Sequence, residues 1–271
     1  MKFLLALHAA AAITTLPLSA EIISATGITV PVPPGNTSAT LLLGGNRITI
    51  SNLFGAILSA ADCSGANFAA APLATDQSVL SYEVRSQPRI TSEFPISGLL
   101  VYPLVFRGSA ANTASPLYGF SHTFTILSGM VGTTKIGDVL LCPAPAPGFY
   151  SGILHFPTTA TSLNIETNST AFASQGITFA IDDAPPTVAT ARRLRIRPAA
   201  RRITLTGTAF APIGIRTVQI AVKGTRFQSA SGAEAWTKKL RTAQIGKRIL
   251  IRATSASGKT SPLTKIRVVR G

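Results

Sequence analysis

From residue 193 onward, cations recur on every second position of apolar stretches. Arg193, Arg195 and Arg197 interleave with Leu194 and Ile196, and Arg202 leads into Ile203 and Leu205. Arg248 and Arg252 flank Ile249 and Ile251, while Lys265 and Arg267 flank Ile266. A period of two sends one set of side chains into a core and the other into water. Residues 187–271 hold 19 Lys and Arg against one acid, Glu234, a balance of +18. Residues 21–186 hold 5 against 9, a balance of −4, and Lys2 completes the net +15. A surface charged in this way attracts polyanions and binds them with steep salt dependence. The chemistry this charge allows is docking on an anionic polymer: acidic polysaccharide, an envelope component or extracellular DNA. The candidate contacts are Arg202, Arg248, Arg252, Lys265 and Arg267. Stacking on nucleic-acid bases would need aromatics among the cations, and only Phe210, Phe227 and Trp236 are available, with Trp236 expected in the core. The same charge also fits a solvated spacer kept soluble by its surface.

Other residue types invite chemistry and fail on spacing. Ser121-His122 lacks a Gly-x-Ser-x-Gly elbow, residue 123 being Thr, and neighbours on a strand face opposite ways. The acids of the first part (Asp62, Asp76, Glu83, Glu93, Asp138, Glu166) are scattered singly, so no carboxylate pair stands out for glycoside hydrolysis. Gly258-Lys259-Thr260 would need a Gly at position 253, which is Ala, and a strand-to-helix turn. No catalytic residue is assigned, and the chain reads as non-enzymatic. Asp182-Asp183 is the one acidic cluster, a calcium candidate if carbonyls and a further carboxylate join it. Tyr82, Tyr102, Tyr118 and Tyr150 would be the stacking platform of an alternative carbohydrate-binding or carbohydrate-active protein.

Residues 1–20 read as a signal peptide. Lys2 precedes an apolar run over 3–13, too short to span a membrane, and Leu18-Ser19-Ala20 fits a cleavage site before Glu21. The expected location is secreted or extracytoplasmic, with association at the cell surface. In an exported chain Cys63 and Cys142 most simply pair. That disulfide would close about 80 residues and contribute on the order of 4 kcal/mol. Two buried free thiols are the other reading.

The elements that must position these residues are strands. Val, Ile, Leu, Thr and Phe come in short runs divided by Gly, Pro, Ser and Asn, so the class is all-β. Strands are expected near 28–32, 39–43, 47–51, 79–85, 99–106, 121–127, 138–142, 150–156, 162–166 and 176–181. Turns are expected at 33–36, 44–46, 108–109 and 143–148. Ten short strands fit a two-sheet β-sandwich over 21–183, for which a jelly roll is one connectivity. Asp182-Asp183-Ala184-Pro185-Pro186 reads as a short, semi-rigid linker, with a basic domain over 184–271. The strand containing Trp236, Lys238 and Leu240 on one face should bulge or lie at an edge.

Asp183-Ala-Pro-Pro-Thr-Val188, Thr204-Leu-Thr-Gly-Thr-Ala209, Gly214-Ile-Arg-Thr-Val218, Ala235-Trp236 and Ile251-Arg-Ala-Thr-Ser-Ala-Ser-Gly258 resemble the bacterial Ig-like domains of secreted and surface proteins. The resemblance covers 184–270 and implies an immunoglobulin-like β-sandwich. It departs at Ala211, Ser255 and Lys259, where such domains often carry acids, so it implies no calcium site within this module. Phe149-Tyr-Ser-Gly-Ile153, residues 162–166 and Ile177-Thr-Phe-Ala-Ile-Asp-Asp183 look like the closing strands of secreted bacterial lectin-like or jelly-roll domains, over about 35 residues.

Overall fold

The computed structural model describes residues 21–31, 37–73, 77–104, 106–107, 117–142, 149–168 and 174–270. The leader and the turns expected at 33–36, 108–109 and 143–148 lie outside these residues, as does Asp76. In chain order the first unit contains β1 (Ile22–Thr29), β2 (Ser38–Leu43), β3 (Asn46–Ser51), β4 (Ile57–Ala61), β5 (Gln77–Glu83), β6 (Arg89–Ile96), β7 (Leu99–Pro103) and β8 (Phe106–Arg107). It continues with β9 (Leu117–Phe120), β10 (Thr125–Gly129), β11 (Thr134–Ile136), β12 (Val139–Leu141), β13 (Phe149–Tyr150), β14 (Gly152–Phe156), β15 (Ala160–Thr167) and β16 (Ser174–Asp182).

One antiparallel path runs β10-β14-β7-β16-β1-β2-β3-β6-β15-β9-β12-β11, with β5 and then β4 branching from β16. Strand β1 joins its halves, pairing with β16 over Ile22–Ser24 and with β2 from Ala25 onward. The path folds over itself as a sandwich. Leu41, Leu43, Ile48 and Ile50 on one side meet Val101, Leu154, Phe156 and Phe179 on the other in a single buried cluster. The alternate residues Leu100, Tyr102, Ile153 and Ala180 face outward, where Cys63, Phe68 and Leu73 cover them in a second cluster.

That alternation corrects the disulfide. Cys63 lies in the outer cluster and Cys142 in the inner one, so the β7-β14-β16 sheet separates them, and both thiols are free and buried. Burial pushes the Cys63 thiol up to about 11 and the Cys142 thiol to about 12. The thiolate is the nucleophile, so in the folded protein at about pH 8 neither should react with iodoacetamide. Unfolding in urea without reductant should release two alkylatable thiols by intact mass. An unfolded chain that took up no label would restore the disulfide.

The second unit contains β17 (Thr187–Thr190), β18 (Arg193–Ile196), β19 (Arg202–Phe210), β20 (Ile215–Ala221), β21 (Gln228–Ser229), β22 (Ala235–Arg241), β23 (Arg248–Ser255) and β24 (Thr264–Arg270). It is a sandwich of a three-stranded sheet, β17-β19-β22, on a five-stranded sheet, β18-β24-β23-β20-β21. The chain enters antiparallel to β19 and then crosses to run parallel to β24. An entry strand divided between the two sheets, followed by the second and fifth strands on one side and the third, sixth and last on the other, is an immunoglobulin-like arrangement. Its core is Leu205, Val218, Ile220, Trp236, Leu240, Ile249, Ile251 and Ile266. Strand β22 is an edge strand, as its pattern required. Lys238, on the face of Trp236 and Leu240, escapes burial by donating to the Ser229 carbonyl oxygen at 2.6 Å.

The two sandwiches are docked. Ile213 and Ala256, from loops of the second, are fully buried in the core cluster of the first. Asn46 Nδ2 donates to the carbonyl oxygens of Phe94 at 3.0 Å and Ile213 at 3.2 Å, and its Oδ1 accepts from Phe94 N at 3.1 Å. Ser97 N donates to Pro212 O at 2.8 Å. Asp183 and Pro186 are themselves buried, so the short, semi-rigid linker is also part of a packed joint.

Candidate polyanion-binding face

The strand pattern and the parallel pairing of β18 on β24 together place the charge. Arg193 pairs with Arg267, and Arg267 with Arg248, so three arginines form one transverse row across β18, β24 and β23. Neighbouring strands lie about 4.8 Å apart, which sets the spacing of the row. All three side chains are exposed, while Ile249 and Ile266 beside them are buried. Like charges directly across a ladder destabilise it, so the row works against folding and is tolerated because water and salt screen it.

At the end of this face Arg192, Lys247, Arg248, Lys265, Arg267 and Arg270 line a groove of about 900 Å³ with Ile245 and Gly246 at its side. Its frame is main chain: Arg267 N donates to Arg192 O, and Val268 N to Lys247 O, each at 3.0 Å. Arg270 Nη2 donates to Ile245 O at 2.7 Å, which holds one guanidinium in place. The ion pairs among the described residues join Arg85 to Glu83 and Lys259 to Glu21 and Asp183, and none involves a groove cation. The lining contains no acid. Chemically this is a set of oriented donors without an internal anion.

Of the five candidate cations, the fold brings Arg248, Lys265 and Arg267 together. Arg202 lies on the other sheet, opposite Arg241. Arg252 shares the five-stranded sheet, but its guanidinium stacks on Phe227 at 4.2 Å and its Nε donates to Gln219 Oε1 at 2.9 Å. The sequence reading missed Arg192, Lys247 and Arg270 as members of the groove. The docking of β18 on β24 brings in Arg192, while Lys247 and Arg270 join through the Val268 N to Lys247 O bond and the Arg270 to Ile245 O bond, contacts that no alternating pattern encodes.

The remaining candidates are accounted for elsewhere. Asp183 accepts from Ser257 Oγ at 2.6 Å and pairs with Lys259 Nζ at 3.1 Å, so protein groups occupy the carboxylate that a calcium ion would have used. Burial, ahead of the neighbouring Asp183 charge, raises the Asp182 carboxyl above its ordinary value. Among the described residues no group of three or more His, Cys, Asp and Glu could hold a metal. Gly258-Lys259-Thr260 belongs to the hairpin between β23 and β24, and Lys259 is spent on this joint.

Tyr82, Tyr102 and Tyr118 are fully buried, and Tyr150 packs half-buried against the inner core. Three of the four proposed stacking tyrosines are core residues, which corrects the expected glycan platform. Their ring bulk fills the sandwich, and Tyr102 and Tyr118 satisfy their hydroxyls internally on Ala71 O and Gln175 Oε1. Ser121 and His122 precede β10 and are not on a strand, so the expectation of opposite facing fails: Ser121 Oγ lies 2.9 Å from His122 Nδ1. Asn164 N also donates to that hydroxyl at 2.9 Å, and among the described residues no carboxylate orients the ring. His155 is held below its ordinary value by burial.

No protein-family model matches the chain, and comparison with curated proteins gives no match. Among solved structures, a chimeric titin Z1Z2 tandem functionalised with a GRGDS peptide from fibronectin aligns at 12% identity, over 70% of this chain and 92% of that chain, with a TM-score of 0.25. The immunoglobulin-like assignment made above rests on strand order and not on this likeness. No described helix is long and apolar enough to cross a membrane.

Proposed function

We propose that this is an exported, non-catalytic binding or structural protein of the bacterial surface, docked onto an anionic polymer by the cationic face of its immunoglobulin-like sandwich. The observation that carries the reading is the groove and its row of arginines, exposed and free of any internal acid. The leader composition supports export. The first sandwich, joined through Asn46 and Asp183, is the part held in place by that docking.

Position on the fold makes the reading testable. In the full chain, Arg248→Gln, Lys265→Gln and Arg267→Gln together should lower affinity for heparin, used as a model polyanion, by on the order of a hundredfold at low salt. Arg202→Gln with Arg241→Gln, on the opposite sheet, should lower it by less than about fivefold. Equal losses from the two sets would mean diffuse charge and no docking face.

A further inference from the structure

We infer that the anion this groove takes is the phosphate group of a linear phosphate-bearing polymer, in preference to a carboxylate. The inference rests on the docking reading above and deepens it. Four of the six lining cations are arginine: Arg192, Arg248, Arg267 and Arg270. A guanidinium is a planar fork that binds oxyanions bidentately, whereas an ammonium acts as a point charge. A carboxylate is planar, and one fork takes a lone pair on each of its oxygens, leaving its remaining sites in the same plane. A phosphate is tetrahedral, so its oxygens point in several directions and two forks can engage it from different sides.

The register supplies that arrangement. Arg248 and Arg267 are direct cross-strand partners, and neighbouring strands are about 4.8 Å apart, so their forks can converge on one group. The backbone of Arg192 is held beside them, because its carbonyl accepts the amide of Arg267. Arg270, pinned by Ile245 O at 2.7 Å, offers an oriented fork at the end of the groove. Six cations line the groove, more than a single phosphate engages, which points to successive groups along a chain. No aromatic side chain lines the groove, so it recognises the charged backbone of such a polymer and not bases or sugar faces.

The test compares polyphosphate of defined length with polyglutamate carrying the same number of charges, titrated against the full chain at low salt. The preference for polyphosphate should be at least about tenfold. Arg192→Lys, Arg248→Lys and Arg267→Lys combined keep the charge and remove the forks. They should bring polyphosphate affinity down to that of polyglutamate and leave polyglutamate binding within about twofold. Equal affinities for the two polymers, or a preference that survives the Lys substitutions, would overturn the phosphate assignment while leaving polyanion docking intact. Binding of neither polymer would overturn both.

Discussion

Asn46→Leu is expected to destabilise the protein by about 3–6 kcal/mol and to separate the unfolding of its two sandwiches. The side chain is fully buried and makes three hydrogen bonds, two to Phe94 and one to Ile213 in the other sandwich. Leucine keeps its branched shape and strips those bonds, leaving the buried Ile213 carbonyl and the half-buried carbonyl and amide of Phe94 without these partners, at up to about 1–3 kcal/mol each. No rearrangement can relieve this cheaply, because the joint has no slack. Gly45 already lies where a Cβ would come 2.7 Å from Ala256 O, and a Cβ on Gly214 would come 2.6 Å from that of Phe94. Urea unfolding followed by Trp236 fluorescence and far-ultraviolet circular dichroism should give coincident curves for the native chain and divergent ones for Asn46→Leu. A single unchanged transition would show that the sandwiches are coupled by something other than this side chain.

Gly207→Val should cost at least about 3 kcal/mol, the upper range for overpacking a core. Gly207 is paired with Trp236 in the ladder of β19 and β22, and its missing side chain leaves the space the indole fills. A Cβ built there falls far inside van der Waals contact distance of the indole Cζ2 and 2.6 Å from Ala189 O. The sheet partner on one side and the ring on the other prevent a shift in either direction. Trp236 is the only tryptophan in the chain, so its emission reports the displacement directly. A red-shifted spectrum and an early transition are expected, and Trp236→Leu in the Gly207→Val background should recover part of the loss. Unaltered emission with unaltered stability would mean that the indole does not rest on Gly207.

What was legible in the sequence follows from what strand periodicity encodes. In the second sandwich most strands have one face in the core and one in water, so Ile203 and Leu205, Val218 and Ile220, Ile249 and Ile251 announced them. In the first sandwich β4, β6, β9 and β11 were not anticipated. Strand β4 is an edge with Ile57 and Leu58 about half exposed, β11 has no buried residue, and β6 contains Pro95, which argues against a strand. Gly44-Gly45-Asn46 was read as a turn, and both glycines do take positive φ there, at 53° and 81°. Nothing local says that Asn46 then reaches across to Ile213, because that contact spans 167 positions. The same limit applies to the groove. Alternation gave Arg248, Lys265 and Arg267, but the parallel docking of β18 on β24 is a topological fact that brings in Arg192. The cysteine pairing failed for a related reason: an even count in an exported chain says nothing about which face of a sheet each thiol occupies.

The central claim is that an oriented cationic face binds a polyanion. Its most direct measurement is the affinity of the full chain for a labelled anionic polymer as salt rises from about 50 to 200 mM. With about five cations of the groove neutralising charges on a flexible chain, the affinity should fall by on the order of a hundredfold, linearly on logarithmic axes. The slope should flatten when Arg248, Lys265 and Arg267 are changed to Gln. Binding that is absent at about 50 mM, or that does not weaken with salt, would contradict the account and leave the charge as a solvated surface.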